Sequence, residues 1–178
     1  MAITKKQKDI IRKGSYFLFV IYIAVMVYFL FFSEGFNRTD GTLYQYNLDL
    51  FREIERAFWC LEQGNVLYFV VNVVLNVVAF IPFGFILPII APKNCELFPI
   101  FLVSLEMTLA IEILQMVFQV GIFDVDDIFM NTLGGTLGYI LYEVCYGVLK
   151  SWIRRGRKNE WQEKKSKSTK KSTESSQQ

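Results

Sequence analysis

The sequence predicts an all-α membrane protein: a four-transmembrane-helix bundle, N-in/C-in, with an amphipathic interfacial helix on its outer surface. Two observations carry this. Apolar residues make up 53% of the 178-residue chain, and they gather into four long blocks at 16–32, 66–90, 97–120 and 128–149. About 20 mostly apolar residues cross a bilayer as a helix. The second observation is the placement of Lys and Arg. Lys5, Lys6, Lys8, Arg12 and Lys13 precede the first block, and Lys150, Arg154, Arg155, Arg157, Lys158 and further lysines follow the last. The segment between the first two blocks holds only Arg38, Arg52 and Arg56 among Glu34, Asp40, Asp49, Glu53, Glu55 and Glu62. The segment before the fourth block has Asp124, Asp126 and Asp127 with no base. Basic flanks stay in the cytoplasm, so both termini are expected there, which requires an even number of spans.

The chain divides into a basic N-terminal segment (1–15), a membrane domain (16–149) and a basic tail (150–178). The first block is expected to remain as a span. It is longer than a signal peptide's apolar run, and FFSEGFNRTD after it offers no small-residue cleavage site. The tail, rich in Lys, Ser and Gln, reads as disordered and attracted to anionic lipid headgroups. A net charge of +2 gives no sign of a nucleic-acid partner. Cys60, Cys95 and Cys145 fall in the outer segment, the inner segment and the last span, which excludes a disulfide framework. With no histidine in the chain, no thiolate–His pair exists.

In NLDLFREIERAFWCLEQ, Phe51, Ile54, Phe58 and Leu61 recur at helical spacing while Arg52, Glu55, Arg56 and Glu62 fall off that stripe. This predicts an amphipathic helix at the outer surface, with Trp59 near headgroup level. It is either an ordinary interfacial helix or a lid over a site below. The second span carries Pro82, Gly84 and Pro88. Proline removes a backbone hydrogen bond and clashes with the preceding turn, so a kink or break is expected near 80–85. The fourth block opens with Asp124, Asp127 and Asn131, spaced to share one helical face, and Gly134 and Gly138 continue that face as a small-xxx-small step that lets another helix approach.

Polar side chains inside the apolar blocks are the most informative feature. A carboxylate at a helix centre costs roughly 2.5–3.5 kcal/mol on insertion scales, so such residues usually face a bundle interior or a wet cavity. At 1.5 Å per residue, Asn72 and Asn76 lie roughly 9 and 15 Å below the outer end of their span, Glu112 about 12 Å and Gln115 about 7–8 Å. Asn72 and Asn76 are four apart and Glu112 and Gln115 three apart, so each pair shares a face. With Asp124, Asp127 and Asn131 at the same level, the set is expected to converge on one pocket. The bland alternative is interhelical hydrogen bonding, worth about 0.6 kcal/mol per residue. Glu106 points about 120° away from Glu112 at 100° per residue and stands outside the set.

FIPFGFILP after Asn76, EILQ at Glu112–Gln115 and FDVDDIFMNTLGG, in this order and spacing, resemble the signature blocks of the VanZ-like family, membrane proteins named for a teicoplanin-resistance protein. Arg38 and YNLDLFREI extend the likeness, which covers about 16–145. The resemblance assigns Asn76, Pro82, Gly84, Glu112, Gln115, Asp124, Asp127, Asn131 and Gly134 as the recurrent residues. Many relatives carry an Arg just before the acidic motif. VFQVGIF has none here, which leaves Arg38 or Arg52 to supply it. The resemblance implies the plasma membrane of a Gram-positive bacterium and reduced susceptibility to glycopeptide or lipoglycopeptide antibiotics.

Two classes of function follow. The first is non-enzymatic: an outer-leaflet pocket of Asn72, Asn76, Glu112 and Gln115, with Asp124 and Asp127 at its mouth. Its partner would be a membrane lipid, a lipid-linked cell-wall precursor or a lipoglycopeptide antibiotic. The second is an intramembrane enzyme acting on such a lipid, with Mg²⁺ held by Asp124, Asp126 and Asp127 and Glu112 as acid or base. Against it, the chain has no Ser–His, Cys–His or HExxH arrangement, and no cofactor is implied. A transporter ranks third, since four spans are few, though a homodimer would supply more.

Overall fold

A computed structural model describes residues 4–32, 46–92 and 96–175. Its elements are α1 (Lys5–Phe32), β1 (Tyr46–Asn47), α2 (Arg52–Glu62), α3 (Val66–Phe69), a π-helical turn (Val70–Val74), α4 (Leu75–Ile90), α5 (Leu97–Val117), β2 (Phe123–Asp124) and α6 (Val125–Ser175). Among the described residues, three helices are long and apolar enough to cross a membrane: Lys5–Phe29, the continuous Val66–Ile90 and Leu97–Val117. Their outward faces expose large apolar residues such as Phe17, Leu67, Phe98 and Val117, as a lipid-facing surface does. α6 packs along them with a less apolar face, because Asn131, Thr132, Gly134, Gly135 and Gly138 stand where bulky apolar residues otherwise would.

Those glycines set the bundle's centre. A Cβ on Gly134 would sit 2.1 Å from the Val77 carbonyl oxygen, one on Gly138 2.1 Å from that of Ile81, and one on Gly84 1.8 Å from that of Gly135. The α4 and α6 backbones therefore touch, a separation only glycine permits. α5 packs on the far side of α6, with Ser104 against Gly135. α1 closes the other flank through Phe19, Tyr22, Ile23 and Met26 on Phe80 and Phe83, and the Tyr22 hydroxyl donates to the Ala79 carbonyl at 2.7 Å.

Several expectations need correction. The chain is not wholly α: Tyr46 and Asn47 pair in parallel with Phe123 and Asp124, strands too short to leave an alternating pattern. Of the kink or break expected near 80–85, a break does not occur. α4 runs through Pro82 and Pro88 to Ile90, and the departure from α-geometry comes earlier, at Val70–Val74. The N-terminal segment is helical from Lys5. The tail expected to be disordered continues α6 as far as Ser175, since 157–175 contain neither Gly nor Pro and are rich in Lys with several Glu, good helix formers. Arg38 and Cys95 lie outside the described residues.

Candidate functional site

The second span opens with Asn65, whose side chain accepts the Tyr68 N–H at 3.2 Å as a helix cap. The π turn that follows carries Asn72. A π turn leaves main-chain groups out of the i→i−4 ladder and often marks a functional position. Here the side chains reach the chain themselves. Asn72 Nδ2 donates to the Tyr68 carbonyl at 2.8 Å, and Asn76 Nδ2 donates to the Asn72 carbonyl at 3.1 Å. Asn76 Nδ2 also donates to the Asp127 carboxyl, which ties α4 to the start of α6.

Beside this turn lies a cavity of about 570 Å³, within the usual range for small-molecule sites. Asn72, Asn76, Gln115, Asp124 and Asp127 form its polar side. Its apolar wall comes from Tyr22, Val25, Met26 and Phe29 of α1 and Leu75, Val78 and Pro82 of α4. The amphipathic helix α2 lies over one end and contributes Glu53 and Arg56. Glu53 binds Arg56 Nη1 at 2.6 Å and accepts from the Tyr68 hydroxyl at 3.2 Å. The Phe58 and Phe69 rings pack edge-on at 5.0 Å, seating α2 on the second span.

The acidic segment at the junction of β2 and α6 divides its labour. Asp126 is fully buried, and its carboxylate accepts the Phe51 N–H and, at 2.7 Å, the Glu53 N–H. These are backbone groups at the start of α2 that the helix itself leaves unsatisfied. Both Asp124 carboxyl oxygens accept from Asn47 Nδ2 at 3.2 Å, and Oδ1 also accepts the Asp126 N–H at 2.8 Å. Burial pushes the Asp124 carboxyl above the usual carboxylate range, while these hydrogen bonds pull the other way. Asp127 faces the cavity.

Two residues expected in the pocket do not line it. Glu112 is 2% exposed and accepts the Asp124 main-chain N–H at 3.0 Å, so it holds the β2 corner from behind. Asn131 is buried against α5, its Nδ2 donating to Thr108 Oγ1 at 3.0 Å. The Mg²⁺ triad of Asp124, Asp126 and Asp127 is not assembled either, because both Asp126 oxygens serve α2. Among the described residues, no group of three or more His, Cys, Asp or Glu side chains is arranged to hold a metal ion. The basic residue at the site is Arg56. Arg52 pairs with Asp49 at 3.4 Å at the surface. Sequence alone did not place Arg56 at the site; its i,i+3 spacing to Glu53 on the polar face of α2 was a trace of that contribution, but not of where α2 docks.

The VanZ/LLP1 family model matches residues 19–146. The chain belongs to the VanZ/LLP1 family. All the cavity-lining residues, from Tyr22 to Asp127, fall inside the matched region. Protein VanZ of Enterococcus faecium is 42% identical to this VanZ/LLP1 protein over 67 residues, covering 38% of this chain and 41% of that protein. The aligned stretch is thus well under half of that relative's length. No solved structure matches the chain. Family membership and the three apolar helices make this a VanZ-like membrane protein.

Proposed function

We propose that this VanZ/LLP1 protein crosses the plasma membrane of a Gram-positive bacterium four times, α6 supplying the fourth span, with both termini in the cytoplasm. In this reading the cavity beneath α2 is an outer-leaflet site for a membrane lipid or lipid-linked envelope component. Its occupancy lowers the binding of glycopeptide and lipoglycopeptide antibiotics, teicoplanin above all, at the cell surface. The cavity carries the proposal: one side is apolar and built on the outward-facing spans, and the other converges Asn72, Asn76, Asp124 and Asp127 from separate elements. The basic flanks of α1 and α6 support the orientation, and the resemblance to Protein VanZ supports the antibiotic link.

Teicoplanin carries an acyl chain that enters the membrane, and vancomycin lacks one. A site in the outer half of the bilayer therefore acts more on teicoplanin. Expression in a susceptible Gram-positive host is expected to reduce surface binding of fluorescent teicoplanin more than that of fluorescent vancomycin. Equal teicoplanin binding with and without the protein, at verified expression, removes the resistance reading. An equal drop for both drugs points instead to a change in the wall target they share.

A further inference from the structure

We infer that α5 pairs inside the membrane with the α5 of a second copy of this chain, Glu106 facing Glu106. None of the residues concerned lines the cavity, so the inference is separate from what the cavity holds.

It starts from a carboxyl placed where lipid would be. α5 is one of the apolar helices long enough to cross a membrane. Glu106 stands near its middle, roughly 14 and 17 Å from the Leu97 and Val117 ends at 1.5 Å per residue. A Glu side chain is too short to reach the headgroups from there. Yet Glu106 is exposed on the surface of the bundle. Buried Ser104, Thr108, Ile111 and Glu112 mark the inward side of α5, and Glu106 lies on the opposite side. Among the described residues it has no hydrogen-bond or ion-pair partner. An ionisable side chain at this depth almost always meets a partner or a wet cavity, so a single copy leaves it incomplete.

The stripe around Glu106 says what covers it. Leu102, Glu106, Leu109 and Ile113 follow steps of four, three and four, the seam spacing by which two helices pack side by side. Phe98 and Val117 continue the stripe at either end, and its apolar members are all exposed. The stretches 16–32, 66–90, 97–117 and 128–149 contain no Lys or Arg, so no span of this chain or its copy sets a base beside Glu106. A second copy brings the same carboxyl instead. Both copies have one orientation in the bilayer, so a two-fold axis along the membrane normal lays the seam on itself and puts the two carboxyls at equal depth. A carboxyl carrying its proton both donates and accepts, and two of them face to face satisfy each other. A foreign helix with a Lys or Arg at this depth is the competing occupant.

The full-length protein in neutral detergent is compared by sedimentation equilibrium as wild type, Glu106→Gln and Glu106→Leu. The wild type is expected to dimerise. An amide also donates and accepts, so Glu106→Gln should keep the dimer. Glu106→Leu, which alters only an exposed position, should raise the dimer's dissociation constant about tenfold, the effect of losing interhelical hydrogen bonds in apolar surroundings. The face is checked in native membranes, with Cys60, Cys95 and Cys145 replaced by alanine. Leu109→Cys should link two copies on oxidation, since bridged Cβ atoms lie about 4 Å apart. Leu137→Cys, on the exposed face of α6, should not. A folded wild type that stays monomeric, a dimer that Glu106→Leu leaves unchanged, or linkage through position 137 and not 109 overturns the inference. So does a complex with a different protein that links through position 109 and is lost in Glu106→Leu, which would assign the carboxyl to a foreign base.

Discussion

Asp127 and Asp126 are neighbours with different work, and the difference can be measured. Asp127 faces the cavity with one oxygen bound by Asn76, whereas both Asp126 oxygens hold the start of α2. Asp127→Asn and Asn76→Ala are therefore expected to reach the membrane at wild-type levels and lose the teicoplanin phenotype. Loss of protein in step with the phenotype would make both residues structural. Asp126→Asn should instead destabilise the protein by roughly 1.5–3 kcal/mol, the range for hydrogen bonds to a charged group, and hydrogen exchange should localise the loosening to α2. Asn131→Ala, by contrast, removes one interhelical bond worth about 0.6 kcal/mol and is expected to leave the phenotype intact. These assignments were half legible in the sequence. Spacing placed Asn72 with Asn76, and Glu112 with Gln115, on shared faces at one depth. Depth and face do not say what packs against a side chain, so Glu112 and Asn131 were grouped with a cavity from which Asp124 and α6 separate them. Arg56 was hidden for another reason: its helix lies outside the spans, and only its docking through Phe58 and Glu53 brings it to the site.

Between elements, the α4–α6 contact governs the fold. Gly134 and Gly84 meet backbone of the opposing helix at distances no side chain survives. Gly134→Leu is expected to abolish accumulation of folded protein in the membrane. Gly147→Leu, at a position open on every side within 4 Å, should leave both level and phenotype unchanged, and fluorescence-detected size exclusion distinguishes the two. Equal behaviour would mean that the close approach is not needed. The small-xxx-small step was readable because its spacing repeats on one face. The π turn was not, because a one-residue widening of a helix leaves no composition signal, whereas Pro82 and Pro88 drew attention to a segment that stays helical. On the same helix the Tyr22 hydroxyl of α1 reaches the Ala79 carbonyl, so a neighbouring helix supplies a partner that a lone helix lacks.

At the scale of the molecule, apolar block length was a strong signal because the bilayer imposes it directly. Among the described residues, the three apolar helices Lys5–Phe29, Val66–Ile90 and Leu97–Val117 each match one end of a block within a few residues. The end of α6 was misjudged because a Lys- and Ser-rich composition fits both a solvated coil and a solvated helix. Everything proposed for the cavity depends on its opening to the outside of the cell, and that is open to direct measurement. Two single-cysteine proteins suffice, one keeping only Cys95 and one carrying only Trp59→Cys on the exposed face of α2, where Trp59 is 61% exposed. Intact cells are treated with a membrane-impermeant maleimide and then compared with permeabilised cells. The cysteine at position 59 is expected to react in intact cells and Cys95 only after permeabilisation. Labelling of Cys95 in intact cells, with position 59 protected, would turn the cavity toward the cytoplasm and contradict an outer-leaflet role.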